Sequence, residues 1–589
     1  MFVGGPIRRF LVVALLASAI CTYAQEAPAP QSVRPKATAA APAISARPKL
    51  IVLLVVDQMR EDYIEKFQDH WTGGLKRLVK DGAWFRNAAY PYAATETCVG
   101  HATISTGAFP TTHGIVANAW FDRETQKSIA CTTDPKGKNE TYGGSAKGGD
   151  TAVRLLLPSF AEELRFQAGD ATRIVTFSLK ARAAIMMAGH KADGATWFDT
   201  GSGLWQTSNA YGSLPFLADY TKTHPVKADY GKTWTLALPE KDYRYDEKSL
   251  SAVPPDGWEL TFPHPLRGKA ASNEPDAAFY GQWLTSPFAD TYLTQMAIYT
   301  ADQLGLGKGG GTDFLAISYS SPDYVGHAFG PRSWEIQDIL ARLDKDLADL
   351  FAHLDVKVGK GNYVVALSAD HGGTPIPEQM QKAGVDAGML SLPAVHKAVE
   401  EALKPFSYPS PAVSTVSSAD VYFAPDVYAK LKQDPAAMQA VLAAIRSVPG
   451  VLNVYRDDEL RDRPPTKNPL HKAESLSYFP GRSGDLLIVP KPYWLLDYTP
   501  AGAQRTYGTG HGGPYYYDQR VPLLLMGWGI QPGEYPAAAT PADIAPTFAA
   551  LVGITLSSRD GHVLSDALAK RAGVPTAKPL SAVPKRTSP

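Results

Sequence analysis

The chain of 589 residues sets 58 Lys+Arg against 58 Asp+Glu, and this zero net charge excludes a dedicated binder of polyanions such as nucleic acid. Hydrophobic residues at 44% and charged residues at 20% describe a globular chain with a sizeable core, long enough for more than one structural unit or one large domain with insertions. Three cysteines exclude a disulfide scaffold.

Residues 1–24 read as a secretory signal peptide. Arg8 and Arg9 precede an apolar run from Phe10 to Ile20, and Thr22-Tyr23-Ala24 offers a small-x-small cleavage site. The run is too short to span a bilayer comfortably, so cleavage is expected rather than anchoring. The Arg pair leaves the export route, general or twin-arginine, open. Residues 25–49 form an Ala/Pro-rich linker, and 571–589 a similar tail. No later segment offers about 18 uninterrupted apolar residues. The expectation is a periplasmic or secreted protein without a membrane span; the sequence leaves its oligomeric state, monomer or larger, open.

The folded part is expected over 50–570. It opens with Leu50-Ile51-Val52-Leu53-Leu54-Val55-Val56, an apolar run of strand length that suits a strand buried on both faces of a parallel sheet. Similar strands are expected at Ile174–Phe177, Phe314–Tyr319, Tyr363–Leu367 and Val521–Met526. Between them, Ile336, Leu340, Leu343, Leu347, Leu350 and Leu354 recur at the helical period and predict a helix over Trp334–Leu354; another follows Pro541. Strands alternating with helices predict an α/β fold, a doubly wound and mostly parallel sheet with helices on both faces. Two stretches interrupt the pattern. Residues 197–287, rich in Trp, Tyr, Gly and Pro, read as a cap over the site, and 405–480 as a second insertion with a helix near Pro435–Val448.

Ligands of such sheets lie beyond the carboxyl ends of the strands. Asp57 ends the first strand. Asp323 and His327 follow the strand ending at Tyr319, Asp370 and His371 follow the one ending at Leu367, and His511 lies in the loop before Val521. Each has a structural reading of its own: an N-cap for Asp57, a pair across one helical turn for Asp323 and His327, a glycine-rich turn for Asp370-His371-Gly372-Gly373. Together, three Asp and three His at one sheet edge match the donor set of a two-metal hydrolase. Thr97, in the hydroxyl-rich stretch from Ala94 to Gly107, stands where a helix would open, as an N-cap or as a nucleophile beside an anion site.

Asp57, Thr97-x-x-x-His101, Asp323-x-x-x-His327, Asp370-His371-Gly372 and Gly508-x-Gly510-His511-Gly512 resemble the motifs of the alkaline phosphatase superfamily. More narrowly they are similar to its type I phosphodiesterase/nucleotide pyrophosphatase branch. Within that branch, Gly114-Ile115-Val116-Ala117-Asn118 and Ser178-Leu179-Lys180-Ala181-Arg182 look like the phosphate-irrepressible, PafA-type alkaline phosphatases. The resemblance runs from about Leu50 to Leu568. It implies a zinc-dependent alkaline phosphatase that hydrolyses small phosphate monoesters through a phosphothreonine intermediate on Thr97. Of two zinc ions, one would be held by Asp323, His327 and His511, the other by Asp57, Asp370, His371 and Thr97. Asn118, Lys180 and Arg182 would bind the phosphoryl oxygens.

Lys180 and Arg182 are two apart, so an extended segment would aim both the same way, at the free oxygens of a monoester dianion. The rival on the same frame is a phosphodiesterase or nucleotide pyrophosphatase. A formylglycine sulfatase is disfavoured because neither Cys98 nor Cys131 begins the Cys-x-Pro/Ala-x-Arg signature. A non-catalytic binder of phosphate compounds would not need the full nucleophile and ligand set. Cys98 and Cys131 are a disulfide or two separate thiols; spacing alone leaves both open.

Overall fold

The computed structural model describes residues 47–569 except 145, 270–273 and 501–502. The signal peptide, most of the linker and the tail lie outside the described residues.

Leu50–Val56 carries no polar side chain, and every one of its residues is buried. Successive side chains of a strand point to opposite faces, so burial of all of them means that both faces of the sheet are covered. Among the described residues this strand belongs to a ten-stranded sheet in the order Gly533–Ala539, Ala83–Ala88, Leu523–Gly527, Tyr363–Ser368, Leu50–Val56, Asp313–Tyr319, Ile174–Ser178, Gly194–Asp199, Leu204–Ser208, Asn139–Thr141. The strands from Tyr363–Ser368 through Gly194–Asp199 run parallel. Outside them the sheet becomes mixed. Leu523–Gly527 runs antiparallel to Tyr363–Ser368, where a further parallel strand was expected. Its direction follows from where the chain comes from. The loop before it is tied to the carboxyl edge, with Gly372 and Gly373 N–H donating to the carbonyls of Asp518 and Tyr517 at 2.7 and 2.9 Å. An apolar run carries no sign of its direction.

The helix Trp334–Leu354 forms over the expected residues. Ser333 caps it by accepting from the Ile336 N–H at 3.2 Å. Its leucine face is buried against the helices Pro287–Leu304 and Gly74–Asp81.

Much of the aromatic-rich stretch is built into the main sheet and core. Gly194–Asp199 and Leu204–Ser208 are strands of the main sheet, and Trp205, Trp234, Trp258 and Trp283 are buried in the main core. Burying that much aromatic surface outweighs presenting it to solvent. The second insertion is larger than 405–480. Val413–Ser417, Asp420–Phe423, Leu486–Pro490 and Val451–Arg456 make a separate four-stranded sheet. The helices Leu392–Leu403 and Pro435–Ser447 pack on it, around a core of its own that includes Val395, Val421, Val441 and Ile488. Among the described residues no helix is long and apolar enough to cross a membrane.

Candidate two-metal active site

The parallel strands end at one edge, and the site is built there. Asp57 directly follows the central strand. Its neighbour Asp313–Tyr319 leads into the helix Ser321–Phe329, which carries Asp323 in its first turn and His327 in its last. Asp370 and His371 follow Tyr363–Ser368 on the other side. His511 arrives from the loop before the antiparallel strand. The ligand atoms of Asp323, His327 and His511 lie within 4.8 Å of one another, as do those of Asp57, Asp323 and His371. Asp323 thus stands between two clusters, whereas the sequence reading assigned it to one.

The donor chemistry fits two divalent metal ions. His327, His511 and His371 each donate through Nδ1–H to a backbone carbonyl, of Thr509, Thr95 and Gly372 at 2.8, 2.8 and 2.9 Å. That fixes the rings and turns each Nε2 toward the carboxylates, the usual outer support of a metal-binding imidazole. Nε2 of His327 lies 3.3 Å, and that of His511 3.8 Å, from Asp323 Oδ1. His371 Nε2 lies 3.5 Å from Asp57 Oδ1 and 3.4 Å from Asp370 Oδ2. Asp57 Oδ1 and Asp370 Oδ2 are buried oxygens without a hydrogen-bond partner among the described residues. A buried carboxylate oxygen left so is costly unless a cation completes it.

The electrostatics point the same way. Burial, then the carboxylates of Asp323 and Asp370, push the Asp57 carboxyl well above its ordinary range. Burial opposes ionisation of Asp323 too, but His327 and Lys180 hold it well below that range. Burial lowers His371, and burial with the rings of His371 and His327 lowers His511, so both favour the neutral form that binds metal, whereas at His327 burial is outweighed by the Asp323 carboxylate, which raises it.

Thr97 opens the helix Thr97–Thr106, with Glu96 in the extended capping position before it. Its Oγ1 lies 3.4 Å from His371 Nε2 and 3.5 Å from Arg182 Nη2. The helix packs directly on the backbone of Asp370. A Cβ at Gly100 would stand 2.1 Å from the Asp370 carbonyl oxygen, so only glycine permits this approach. One turn after Thr97, His101 is buried between the Thr97 carbonyl and Ser318 Oγ, both at 2.8 Å, and lies 3.3 Å from Asp370 Oδ2.

Lys180 and Arg182 are not in one extended segment. Lys180 is extended, but Arg182 lies in the first turn of the helix Ala181–Ala188, whose Ala and Met residues favour helix. The two side chains therefore do different things. Lys180 is buried with Nζ 2.7 Å from Asp57 Oδ2 and 2.5 Å from Asp323 Oδ2. Burial would lower its ammonium, and these two carboxylates more than reverse that. Arg182 reaches Thr97, and its buried Nε has no hydrogen-bond partner among the described residues. Asn118 joins Arg182 on that side, its Oδ1 accepting from the Cys98 N–H at 2.8 Å. Cys98 and Cys131 are disulfide-bonded.

Gln58 and Glu96 were not singled out from the sequence. Gln58 has φ +65°, rare for a residue with a side chain. It donates through Nε2 to Asp323 Oδ1 at 2.7 Å and through N–H to Asp370 Oδ1 at 3.2 Å, joining the two clusters. Glu96 Oε2 accepts from the Asn118 N–H at 2.6 Å. Adjacency to Asp57 and to Thr97 was the only sequence signal.

Over the site lies a cavity of about 490 Å³. Asn118, Arg182, His327 and His511 line it from the main frame, and Ser417, Ser418, Leu495, Leu496, Tyr498 and Tyr507 from the segments around the second sheet. A neighbouring cavity of about 880 Å³ shares His327 and Thr506 and is lined by residues 252–256 and 277–278 of the aromatic-rich stretch.

The sequence model of the type I phosphodiesterase / nucleotide pyrophosphatase family matches residues 51–514. Alkaline phosphatase PafA of Elizabethkingia meningoseptica is 35% identical over 520 residues, which cover 87% of this chain and 93% of that protein. Alkaline phosphatase PhoV of Synechococcus elongatus is 33% identical over 541 residues, covering 90% and 94%. The crystal structure of wild-type PafA matches this fold with a TM-score of 0.79 at 33% identity, over 89% of this chain and all of that one.

Proposed function

The chain belongs to the type I phosphodiesterase / nucleotide pyrophosphatase family, and from that premise we propose that it is an exported, two-zinc alkaline phosphatase that hydrolyses small phosphate monoesters through Thr97. The observation that carries this reading is the grouping of Thr97, Arg182 and the carboxylate–imidazole clusters at one sheet edge.

Two zinc ions, one held by Asp323, His327 and His511 and the other by Asp57, Asp370, His371 and Thr97, would supply Lewis acidity at the attacking and leaving oxygens. Thr97 Oγ gives its proton to solvent and forms a bond to phosphorus as the ester P–O bond breaks in line, and the leaving oxygen takes a proton from water. Water then attacks the phosphothreonine and gives up a proton as the P–Oγ bond breaks, Thr97 Oγ takes a proton back, and phosphate leaves. Arg182 and Asn118 hold the equatorial oxygens from the cavity side, and Lys180 adds positive charge from among the carboxylates. A monoester dianion has more charge for these groups to hold than a diester monoanion, which is why the monoesterase reading stands ahead of the phosphodiesterase one. Export is supported by the N-terminal signal pattern and by the Cys98–Cys131 disulfide, a bond that persists in oxidising compartments.

Replacing both Lys180 and Arg182 by Ala tests the assignment. The expected result is a loss in kcat/KM for para-nitrophenyl phosphate of about 100-fold or more, with a much smaller loss for bis(para-nitrophenyl) phosphate. Equal losses on both esters would sink the dianion role, and wild-type preference for the diester would favour the phosphodiesterase.

A further inference from the structure

Asn118 is fastened at both backbone polar atoms and at its side-chain oxygen. Its N–H donates to Glu96 Oε2 at 2.6 Å, its carbonyl accepts from the Cys131 N–H at 2.9 Å, and its Oδ1 accepts from the Cys98 N–H at 2.8 Å. The first N–H groups of a helix have no acceptor within it. Cys98 is the second residue of the Thr97 helix, so Asn118 caps that helix from a separate loop. Cys98 and Cys131 are in turn bonded to each other, and both are fully buried. Two of the three anchors, Glu96 and Cys98, are the chain neighbours of Thr97. With Oδ1 committed, the Nδ2 amide is the group Asn118 has left for the cavity that it lines.

We infer that the Cys98–Cys131 disulfide is a positioning device for phosphoryl transfer, which locks the Asn118 amide to the nucleophile helix so that donor and Thr97 are set relative to one another before substrate enters. The inference rests on the reading of Asn118 as a phosphoryl ligand. A cross-link between residues 33 apart would stabilise the fold wherever it lay. What distinguishes this one is that both half-cystine N–H groups bond the same asparagine. Small displacements of a positioned group cost rate steeply, so a loosened Asn118 is expected to show in turnover.

The test is a cycle of four proteins: the wild type, Asn118→Ala, the disulfide-free Cys98→Ala/Cys131→Val, and the triple variant. A second filling of the same buried space, Cys98→Val/Cys131→Ala, runs in parallel. Glu96→Gln, which loosens Asn118 from its other side with the disulfide intact, is carried through the same cycle. Readouts are kcat/KM for para-nitrophenyl phosphate and the inhibition constant of inorganic phosphate. Asn118→Ala is expected to cost about 100-fold and loss of the disulfide about tenfold, with the triple variant no worse than Asn118→Ala alone. Phosphate inhibition should weaken in the same non-additive way. A further tenfold loss on removing the disulfide from Asn118→Ala would overturn the inference and leave the role of Asn118 standing. No loss in Asn118→Ala itself would overturn both.

Discussion

Asp57, Asp323, Asp370 and His371 are at most 2% exposed, and they sit at or just beyond the ends of strands whose side chains are all buried. Asn118 and Arg182 are half-buried, and across the cavity they face Ser417, Ser418, Leu495 and Tyr498, which belong to the second sheet or its flanks. One wall of the site is thus an extension of the main core, and the other is assembled from loops and a separately packed insertion. The difference separates two jobs. The core wall holds like charges close together in a dry place, which only close packing sustains. The loop wall has no such load and is free to set what the site admits.

Metal removal should strike the core wall hardest. Chelation is expected to abolish phosphatase activity, zinc to restore it, and the metal-free protein to melt at a lower temperature, because bound ions stabilise only the folded state. Activity and melting temperature both indifferent to an exhaustive chelator would break the assignment of that wall. The Lys180/Arg182 replacement falls between the walls, since one side chain is paired inside the carboxylate cluster and the other opens on the cavity. The smallest effect is expected at the loop wall. Tyr498 is 50% exposed, so Tyr498→Ala should leave stability within about 0.5 kcal/mol. It should change kcat/KM by less than about tenfold, by amounts that vary with the leaving group. A uniform loss across alkyl and aryl phosphates would show that this wall acts on the chemistry instead.

The same division explains what could be read from the residues alone. Leu50–Val56 and Trp334–Leu354 were legible because a fully apolar run and a 3.6-residue period are direct consequences of burial. The candidate metal donors at the strand ends were sought there because of those strands. The direction of Leu523–Gly527 was not legible, because pairing depends on where the chain has come from. Nor were the separate directions of Lys180 and Arg182, which turn on a strand ending at Ser178 and a helix starting at Ala181. Gln58 at φ +65° shows no local pattern, since its conformation is imposed by the carboxylates it joins. The loop wall brings Ser417 and Tyr498 together with Arg182, and only tertiary packing makes them neighbours. The Cys98–Cys131 bond likewise needed a distance that spacing does not supply.

Everything in the proposed chemistry turns on Thr97 carrying the phosphoryl group. Turnover of a phosphate monoester at saturating concentration, quenched in acid and followed by peptide mass analysis, tests it most directly. One phosphate is expected on the peptide containing Thr97, at that residue, and none in Thr97→Ala, which should retain bound zinc and lose about 10⁴-fold or more in kcat. Phosphate on another residue, or near-normal kcat in Thr97→Ala, would contradict it.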